Sequence, residues 1–285
     1  MSMRKIRKAL ALIYFYIYSR IAPAFLKLDD KAVVFLTDAH EKLDGNLKAI
    51  SDYIDEEYAD LKIKSFCRGD RRKAVSFSEF RAVCRAMSSC KYIILDDFYG
   101  LTSSMKLRNG QKLVQLWHGS GAFKKFGYSR LDGDMSPRAV HSGYRKYTGA
   151  LASSEGVRKC FAEAFDISVD KVRALGSPRS DILFDEDFKI VSKSKLISAF
   201  PELSGKKIIL FAPTYRGERV EAANYDFNKL EPEQFIKEIE EEYRVLVRWH
   251  PALLANVKSG RLNFKLPEGM IDVSDYPDLN ELIAA

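Results

Sequence analysis

The amino-acid sequence predicts an α/β protein made of two doubly wound domains with parallel sheets. Short apolar runs of strand length alternate with segments of helix length, which favours strand–helix–strand crossovers. The composition agrees, because 285 residues with 46% hydrophobic side chains can form the cores of two domains of ordinary size. In addition, histidines follow two of the apolar runs, at positions 118 and 250.

Residues 29–190 are predicted to form the first, Rossmann-like domain. Its strand candidates are separated by helical segments, which implies crossover connections and a parallel sheet. The predicted strands cover residues 31–36, 63–66, 92–95, 113–117, 149–152 and 172–175, and the predicted helices cover residues 45–58, 77–89 and 155–165.

Residues 191–285 are predicted to form a second domain of the same type. Segment 177–205, rich in Ser, Lys and Asp, is predicted to connect the two domains. The second series spans 80 residues (206–285) against 145 (31–175) for the first, so the second domain is expected either to be small or, as favoured here, to be incomplete in this sequence. Its predicted strands cover residues 208–212, 243–249 and 271–273, and its predicted helices cover residues 231–242 and 277–285.

The net charge of +7 is concentrated at the amino terminus. Residues 1–28 contain six basic and no acidic side chains, which leaves a net charge of +1 for the other 257 residues. A nucleic-acid-binding domain typically spreads basic residues over one face, so no nucleic-acid partner is expected. The four cysteines lack Cys-x-x-Cys spacing, which argues against a zinc site or a disulfide framework. No metal ion is expected.

Residues 1–28 are predicted to form an amphipathic segment that associates with membranes. Their apolar, aromatic run ends before Arg20 and is shorter than the about 20 residues that a membrane-spanning helix needs. A secretory signal peptide would need a small-residue cleavage site, and the cytosolic-looking rest of the sequence argues against export. Basic side chains next to Tyr and Phe favour a helix at an anionic membrane surface. The alternative is a helix packed on the protein's own core.

Four strand-end motifs are the candidates for chemistry. The sequence has neither a Gly-x-Gly-x-x-Gly fingerprint nor a Walker A motif, so no cofactor is predicted. The small residues, hydroxyls and cations of the four motifs suit an anion, although such turns are often purely structural. The motifs cover residues 118–125, 176–181, 212–217 and 250–251.

His118 and His250 are the candidates for acid–base chemistry. Each is expected at the carboxyl end of a strand, where open α/β sheets bind ligands. The functional hypothesis is that the two histidines belong to two half-sites that face one cleft. The alternative for either histidine is a side chain satisfied by hydrogen bonds within its own turn.

Three segments occur in a characteristic order: Val-Gln-Leu-Trp-His-Gly at 114–119, Ala-Pro-Thr-Tyr-Arg at 212–216 and Val-Arg-Trp-His-Pro at 247–251. In this order they resemble the CDP-glycerol glycerophosphotransferases of teichoic acid synthesis. The resemblance extends from about residue 31 to the end of the sequence. It implies a glycosyltransferase-B-like fold. Shorter similarities lie at residues 43–46, 152–155 and 175–181.

The resemblance also implies an activity. Glycerol phosphate, or a related polyol phosphate, would pass from CDP-glycerol or CDP-ribitol to an undecaprenyl-linked acceptor in teichoic acid or capsule synthesis. The protein would be peripheral on the cytoplasmic face of a bacterial cell membrane. His118 would be the general base for the acceptor hydroxyl, and His250 would contact the donor pyrophosphate. The residues expected at the phosphates are Thr214, Arg216, Arg179, Gly119 and Ser120, and those expected near the acceptor are Asp97 and Lys124.

The sequence departs from this family pattern in two places. After a segment like residues 276–282 the family continues into an Asp-Tyr-Ser-Ser motif, expected to bind donor phosphates at a helix N-terminus, and this sequence stops before it. Residues 120–123 read Ser-Gly-Ala-Phe instead of Thr-Pro-Leu-Lys, so acceptor contacts are expected to differ. A nucleotide-sugar glycosyltransferase of the same fold and a catalytically incomplete membrane-bound scaffold are the alternatives. A homo-oligomer is left open.

Overall fold

The computed structural model describes residues 3–69, 75–130, 141–217, 222–226, 231–239, 241–262 and 265–285. The chain divides into two compact units, Met1–Ser180 and Asp181–Ala285. The boundary predicted after residue 190 therefore lies ten residues later than the observed one and falls inside a helix of the second unit.

The described part of the first unit contains a six-stranded parallel sheet. Its strands are β1 (Asp29–Thr37), β2 (Lys62–Cys67), β3 (Cys90–Leu95), β4 (Lys112–Gln115), β5 (Gly149–Ala152) and β6 (Val172–Ala174). They lie in the order β2-β1-β3-β4-β5-β6 and every pair is parallel. This confirms the predicted α/β fold with a parallel sheet.

Helices cover both faces of this sheet, which explains the continuous apolar run at residues 32–36 of β1. In β1, Val33 and Phe35 pack on one face, whereas Val34 and Leu36 pack on the other. The first face is covered by one helix through Leu47. The helices that follow strands here are α2 (Gly45–Glu57), α3 (Phe77–Ser89) and α4 (Glu155–Phe165).

Strand β4 ends at Gln115, two residues before the predicted end at Trp117. Trp117 has a φ of 57°, a left-handed backbone conformation that cannot continue a strand. This conformation turns the indole of Trp117 into the core, where only 8% of the residue is exposed. The next residue, His118, is exposed to solvent.

The amino-terminal helix α1 (Met3–Ile21) has two apolar faces. On one face Phe15 is fully buried in the core of the first unit, and Tyr14 contacts Phe80 of α3. The opposite face is exposed to solvent. The buried face agrees with a helix packed on the protein's own core, and association with a membrane stays a prediction. None of the described helices combines the length and hydropathy that crossing a bilayer requires.

The described part of the second unit contains a three-stranded parallel sheet. Its strands, in spatial order, are β7 (Lys207–Phe211), β8 (Tyr243–Val247) and β9 (Met270–Asp272). Its helices are α5 (Glu186–Ala199), α6 (Pro232–Glu238), α7 (Pro251–Lys258) and α8 (Leu279–Ala284).

Most differences from prediction in the second unit concern helices. The segment predicted as a connection contains α5, which buries Leu196 in the same cluster as Leu282 of α8. Within the predicted helix 231–242, the structure has the shorter helix α6. Strand β8 ends at Val247, two residues before the predicted end at Trp249. Helix α7, which begins directly after His250, was not predicted.

Candidate active site

Four segments meet at the carboxyl edge of the six-stranded sheet. The strand order reverses at β1 and β3, and such a reversal opens a crevice where α/β proteins bind ligands. The segments after β1, β3, β4 and β6 supply Asn46, Asp96, His118 and Arg179 respectively. A continuous set of hydrogen bonds joins these residues through side-chain and backbone atoms.

Trp117 holds the backbone next to His118 in an uncommon conformation. For a bulky residue a left-handed backbone costs about 1–3 kcal/mol. Packing of the indole offsets this cost, because its ring stacks on Phe126 with centroids 4.4 Å apart and meets the edge of Phe165. The imidazole of His118 stacks on the same indole, with centroids 4.5 Å apart.

The hydrogen bond of His118 determines which ring nitrogen carries the proton. Its Nδ1 lies 3.2 Å from the backbone carbonyl oxygen of Asp96. A carbonyl oxygen can only accept, so Nδ1 is assigned as the donor and the neutral ring keeps its lone pair on Nε2. Nε2 has no hydrogen-bond partner among the described residues. The exposed side chain therefore presents a base.

Arg179, predicted to bind phosphate, lies against the loop that carries His118. Its guanidinium Nη2 donates a hydrogen bond to the carbonyl oxygen of His118 at 3.0 Å. The other guanidinium N–H groups have no partner within the described ranges, and the side chain is exposed. They can donate to an anion beside His118, since guanidinium binds phosphate with paired hydrogen bonds.

Two titratable residues at this edge were not singled out by the sequence analysis. His40 lies between two carboxylates, with Nε2 3.9 Å from Asp96 Oδ2 and Nδ1 3.8 Å from Asp44 Oδ2. Burial raises the pKa of Asp96, while a hydrogen bond from Thr37 and the charge of His40 oppose that shift. His40 and Asp96 both follow predicted strands, so the strand-end signal that identified His118 also marks them.

The remaining predicted residues of the first unit lie on the same edge. Asp97 is half-buried, and its carboxylate accepts a hydrogen bond from the N–H of Phe98 at 2.6 Å. Gly119, Ser120 and Lys124 lie on the loop that follows His118; Ser120 and Lys124 are exposed.

His250 in the second unit has the opposite protonation pattern. It is the residue that caps α7, and its Nδ1 accepts a hydrogen bond from the N–H of Ala252 at 3.1 Å. Because Nδ1 must keep its lone pair for this bond, the proton of the neutral ring is assigned to Nε2. The exposed side chain of His250 therefore presents an N–H donor.

The loop after β7 lies beside His250. The ring of Tyr215 approaches the imidazole with centroids 4.7 Å apart. Tyr215 separates the two residues predicted to bind phosphate, Thr214 and Arg216, which are both exposed. The backbone of Arg216 pairs with that of Asn224. The loop that carries the predicted phosphate residues of the second unit therefore contacts its histidine through Tyr215.

Within the described ranges, no group of three or more His, Cys, Asp and Glu side chains is arranged to hold a metal ion. The predicted site residues at the two sheet edges include histidines, arginines and hydroxyls. These groups suit phosphorylated substrates by hydrogen bonding and charge.

A parallel sheet with helices packed on both faces, as in the first unit, defines a Rossmann-type α/β protein. The model of the family "CDP-Glycerol:Poly(glycerophosphate) glycerophosphotransferase" matches residues 17–285, and the chain therefore belongs to this family. The family indicated by the three ordered sequence motifs is confirmed.

Two relatives show how far the similarity extends. The "Teichoic acid poly(ribitol-phosphate) polymerase" of Bacillus spizizenii is 32% identical over 280 residues, which cover 98% of this chain and 44% of that protein. The "Teichoic acid ribitol-phosphate polymerase TarK" of Staphylococcus aureus is 34% identical over 261 residues, which cover 89% of this chain and 49% of that protein. The chain spans about half the length of these curated relatives.

Among solved structures, the fold is similar to that of the wall teichoic acid polymerase TagF. The TM-score is 0.63 at 19% identity, and the match covers 100% of this chain and 73% of that chain. TagF has also been solved as histidine variants, one of them soaked with CDPG. The similarity confirms a glycosyltransferase-B-like α/β fold with a parallel sheet.

Proposed function

We propose that this chain transfers a polyol phosphate from a CDP-linked donor to a hydroxyl group of a lipid-linked acceptor. The observation that carries the proposal is the different hydrogen bonding of Nδ1 in its two strand-end histidines, from which opposite tautomers are assigned. His118 offers a lone pair at Nε2, and His250 offers an N–H group at Nε2. The transfer needs one group to accept the hydroxyl proton and another to donate hydrogen bonds to phosphate oxygens.

In the proposed step, Nε2 of His118 accepts the proton of the acceptor hydroxyl as the hydroxyl oxygen attacks the β-phosphorus of the donor. A new P–O bond forms while the bond between the β-phosphorus and the bridging oxygen breaks. CMP leaves with that oxygen and the bonding electrons. The N–H of His250 donates to a phosphate oxygen and stabilises the departing charge. His118 then releases its proton to water.

Arginines and hydroxyls are assigned to the phosphates in the same proposal. Arg179 lies beside the His118 backbone, and Thr214 and Arg216 flank the tyrosine that contacts His250. Gly119 and Ser120 directly follow His118 and are small, so a phosphate can approach the backbone there. Asp97 and Lys124 remain the proposed contacts to the acceptor.

The donor is proposed to be CDP-ribitol or CDP-glycerol. The relatives at 32–34% identity are named ribitol-phosphate polymerases, whereas those named for glycerol phosphate are at most 28% identical. This difference favours CDP-ribitol. The acceptor is proposed to be undecaprenyl-linked and to end in a polyol phosphate.

The test is acceptor-dependent release of CMP from each donor, with a synthetic lipid-linked polyol phosphate as acceptor. We expect CMP release from at least one CDP-polyol, faster with CDP-ribitol, and no UDP release from UDP-sugars. Release of UDP without release of CMP would instead indicate a nucleotide-sugar glycosyltransferase. If neither nucleotide is released while the chain binds lipid vesicles, the scaffold interpretation replaces the proposal.

The outer face of α1 is proposed to bind the cytoplasmic face of the membrane. Leu10, Ile13, Ile17 and Ile21 are spaced as one helical stripe, and each is 52–60% exposed. Residues 1–28, which include α1, carry six basic side chains and no acidic one, while the rest of the chain has a net charge of only +1. An anionic leaflet matches both the apolar stripe and the charge.

Replacing Ile13 and Ile17 together by serine is expected to reduce binding to phosphatidylglycerol vesicles at least about tenfold, because each buried isoleucine contributes roughly 1.5–3 kcal/mol. Co-sedimentation measures the bound fraction. Deleting residues 1–28 is a poorer test, because it also removes the buried Phe15 from the core. The matched control replaces the exposed Ile190 and Val191 of α5 by serine, with no expected loss. Unchanged binding of the α1 variant contradicts the assignment.

A further inference from the structure

A buried amide at the start of α2 joins the loops of the candidate site. Asn46 is 4% exposed. Its Nδ2 donates to the carbonyl oxygen of Trp117 at 2.6 Å, and its Oδ1 accepts from the Ser177 hydroxyl at 2.9 Å and from the N–H of Arg179 at 3.0 Å. These partners lie 71, 131 and 133 residues away along the chain. One side chain therefore connects the segments that follow β1, β4 and β6.

These bonds reach both sides of His118. The carbonyl before it, that of Trp117, is bound directly by Asn46. The carbonyl of His118 itself is bound by the guanidinium of Arg179, whose own backbone N–H is bound by Asn46. The direction of the imidazole depends on these two peptide groups, because Trp117 is held in its left-handed conformation.

We propose that Asn46 is a positioning residue for His118. It keeps the Trp117–His118 backbone in the conformation that presents Nε2 to the acceptor hydroxyl. This inference rests on the proposed function for the role of His118, whereas the effect on the backbone does not depend on it. Misplacing a catalytic group by about 1 Å can lower a rate by about 10²-fold.

The chemistry of the side chain explains why an amide is required. Asparagine supplies a donor and an acceptor at once, and the site uses both. Aspartate has the same shape but no donor, so its carboxylate oxygen would face the Trp117 carbonyl at the 2.6 Å contact. Asn46→Asp therefore removes the bond to Trp117 while it retains an acceptor for Ser177 and Arg179.

Gln111 provides a matched control within the same unit. It is also 4% exposed and also makes three hydrogen bonds. Its Nε2 donates to the carbonyls of Met87 and Cys90, and its Oε1 accepts from the N–H of Arg108. These contacts lie at the amino edge of the sheet, since Cys90 begins β3. Gln111→Ala thus removes an equivalent buried amide far from His118.

The first measurement is steady-state kinetics of CMP release by the full chain. We expect Asn46→Ala and Asn46→Asp to lower kcat by about 10²-fold with KM for the donor changed by less than about threefold. Gln111→Ala should keep kcat within about threefold of the unmodified chain, with a comparable decrease in Tm. A folded Asn46→Asp variant with normal kcat, or an equal kcat loss in Gln111→Ala, overturns the inference.

The second measurement reports the backbone without any assay of activity. The chain has two tryptophans, so Trp249→Phe leaves Trp117 as the only fluorophore of its kind. In that background Asn46→Asp should increase acrylamide quenching of Trp117, and Gln111→Ala should not. Unchanged quenching overturns the positioning role. If quenching rises but His118→Asn leaves CMP release intact, the assignment of the base fails and the effect of Asn46 on the backbone stands.

Discussion

Replacing His118 by asparagine is expected to reduce acceptor-dependent CMP release at least about 10²-fold. The asparagine amide can still donate to the carbonyl of Asp96, as Nδ1 of the histidine does. It offers no base at the position of Nε2. The substitution therefore removes proton acceptance while it keeps the hydrogen bond that anchors the loop. Initial rates at saturating donor give the loss in kcat.

A second substitution separates the base from the packing of its ring. His118→Ala should lose as much activity as His118→Asn, and it should also change the fluorescence of Trp117, because the stacked imidazole is removed. His118→Asn should retain the anchoring bond and disturb that fluorescence less. A folded His118→Asn variant with nearly normal CMP release would show that another group accepts the proton.

Replacing His250 by alanine is expected to have two effects. Loss of the Nε2–H donor should lower the rate of CMP release by about 10²–10³-fold. Removal of one hydrogen-bond donor to an oxyanion has an effect of this size in other enzymes. Loss of the Nδ1 acceptor should also lower the free energy of unfolding by about 1 kcal/mol, because His250 caps α7. Kinetics of CMP release and urea denaturation measure the two effects separately.

Asparagine at position 250 separates these two roles. Asparagine is among the preferred helix N-caps, so His250→Asn should restore the free energy of unfolding. Its side chain does not reach the position of Nε2, so CMP release should remain as low as in His250→Ala. Recovery of activity together with stability would mean that His250 acts only as a helix cap.

The sequence predicted the sheet of the first unit because the pattern of its strands is local. Residues of β1 such as Val33 and Val34 are buried on opposite faces, which produces an unbroken apolar run. The six predicted strands of this unit match six observed strands. The strand-end positions of His118, Arg179 and His250 follow from the same pattern.

The helices that the sequence analysis missed depend on tertiary contacts. In α5 only Ser192 and Leu196 are buried, so the helix lacks a broad apolar stripe, and its polar composition indicated a connection. Helix α7 has eight residues and begins at a proline, features that also fit a turn. Packing against the sheet of the second unit selects the helical conformation in both.

By itself the sequence determined the class of this protein: an α/β fold, a family defined by three ordered motifs, and the histidines at its strand ends. Only the tertiary structure decided the chemical form of those histidines. His118 donates through Nδ1 to a carbonyl 22 residues earlier, and His250 accepts from an N–H group two residues later. It also revealed Asn46, whose partners lie 71 or more residues away. Local patterns encode burial and turns, but hydrogen bonds between distant segments exist only once the chain has folded.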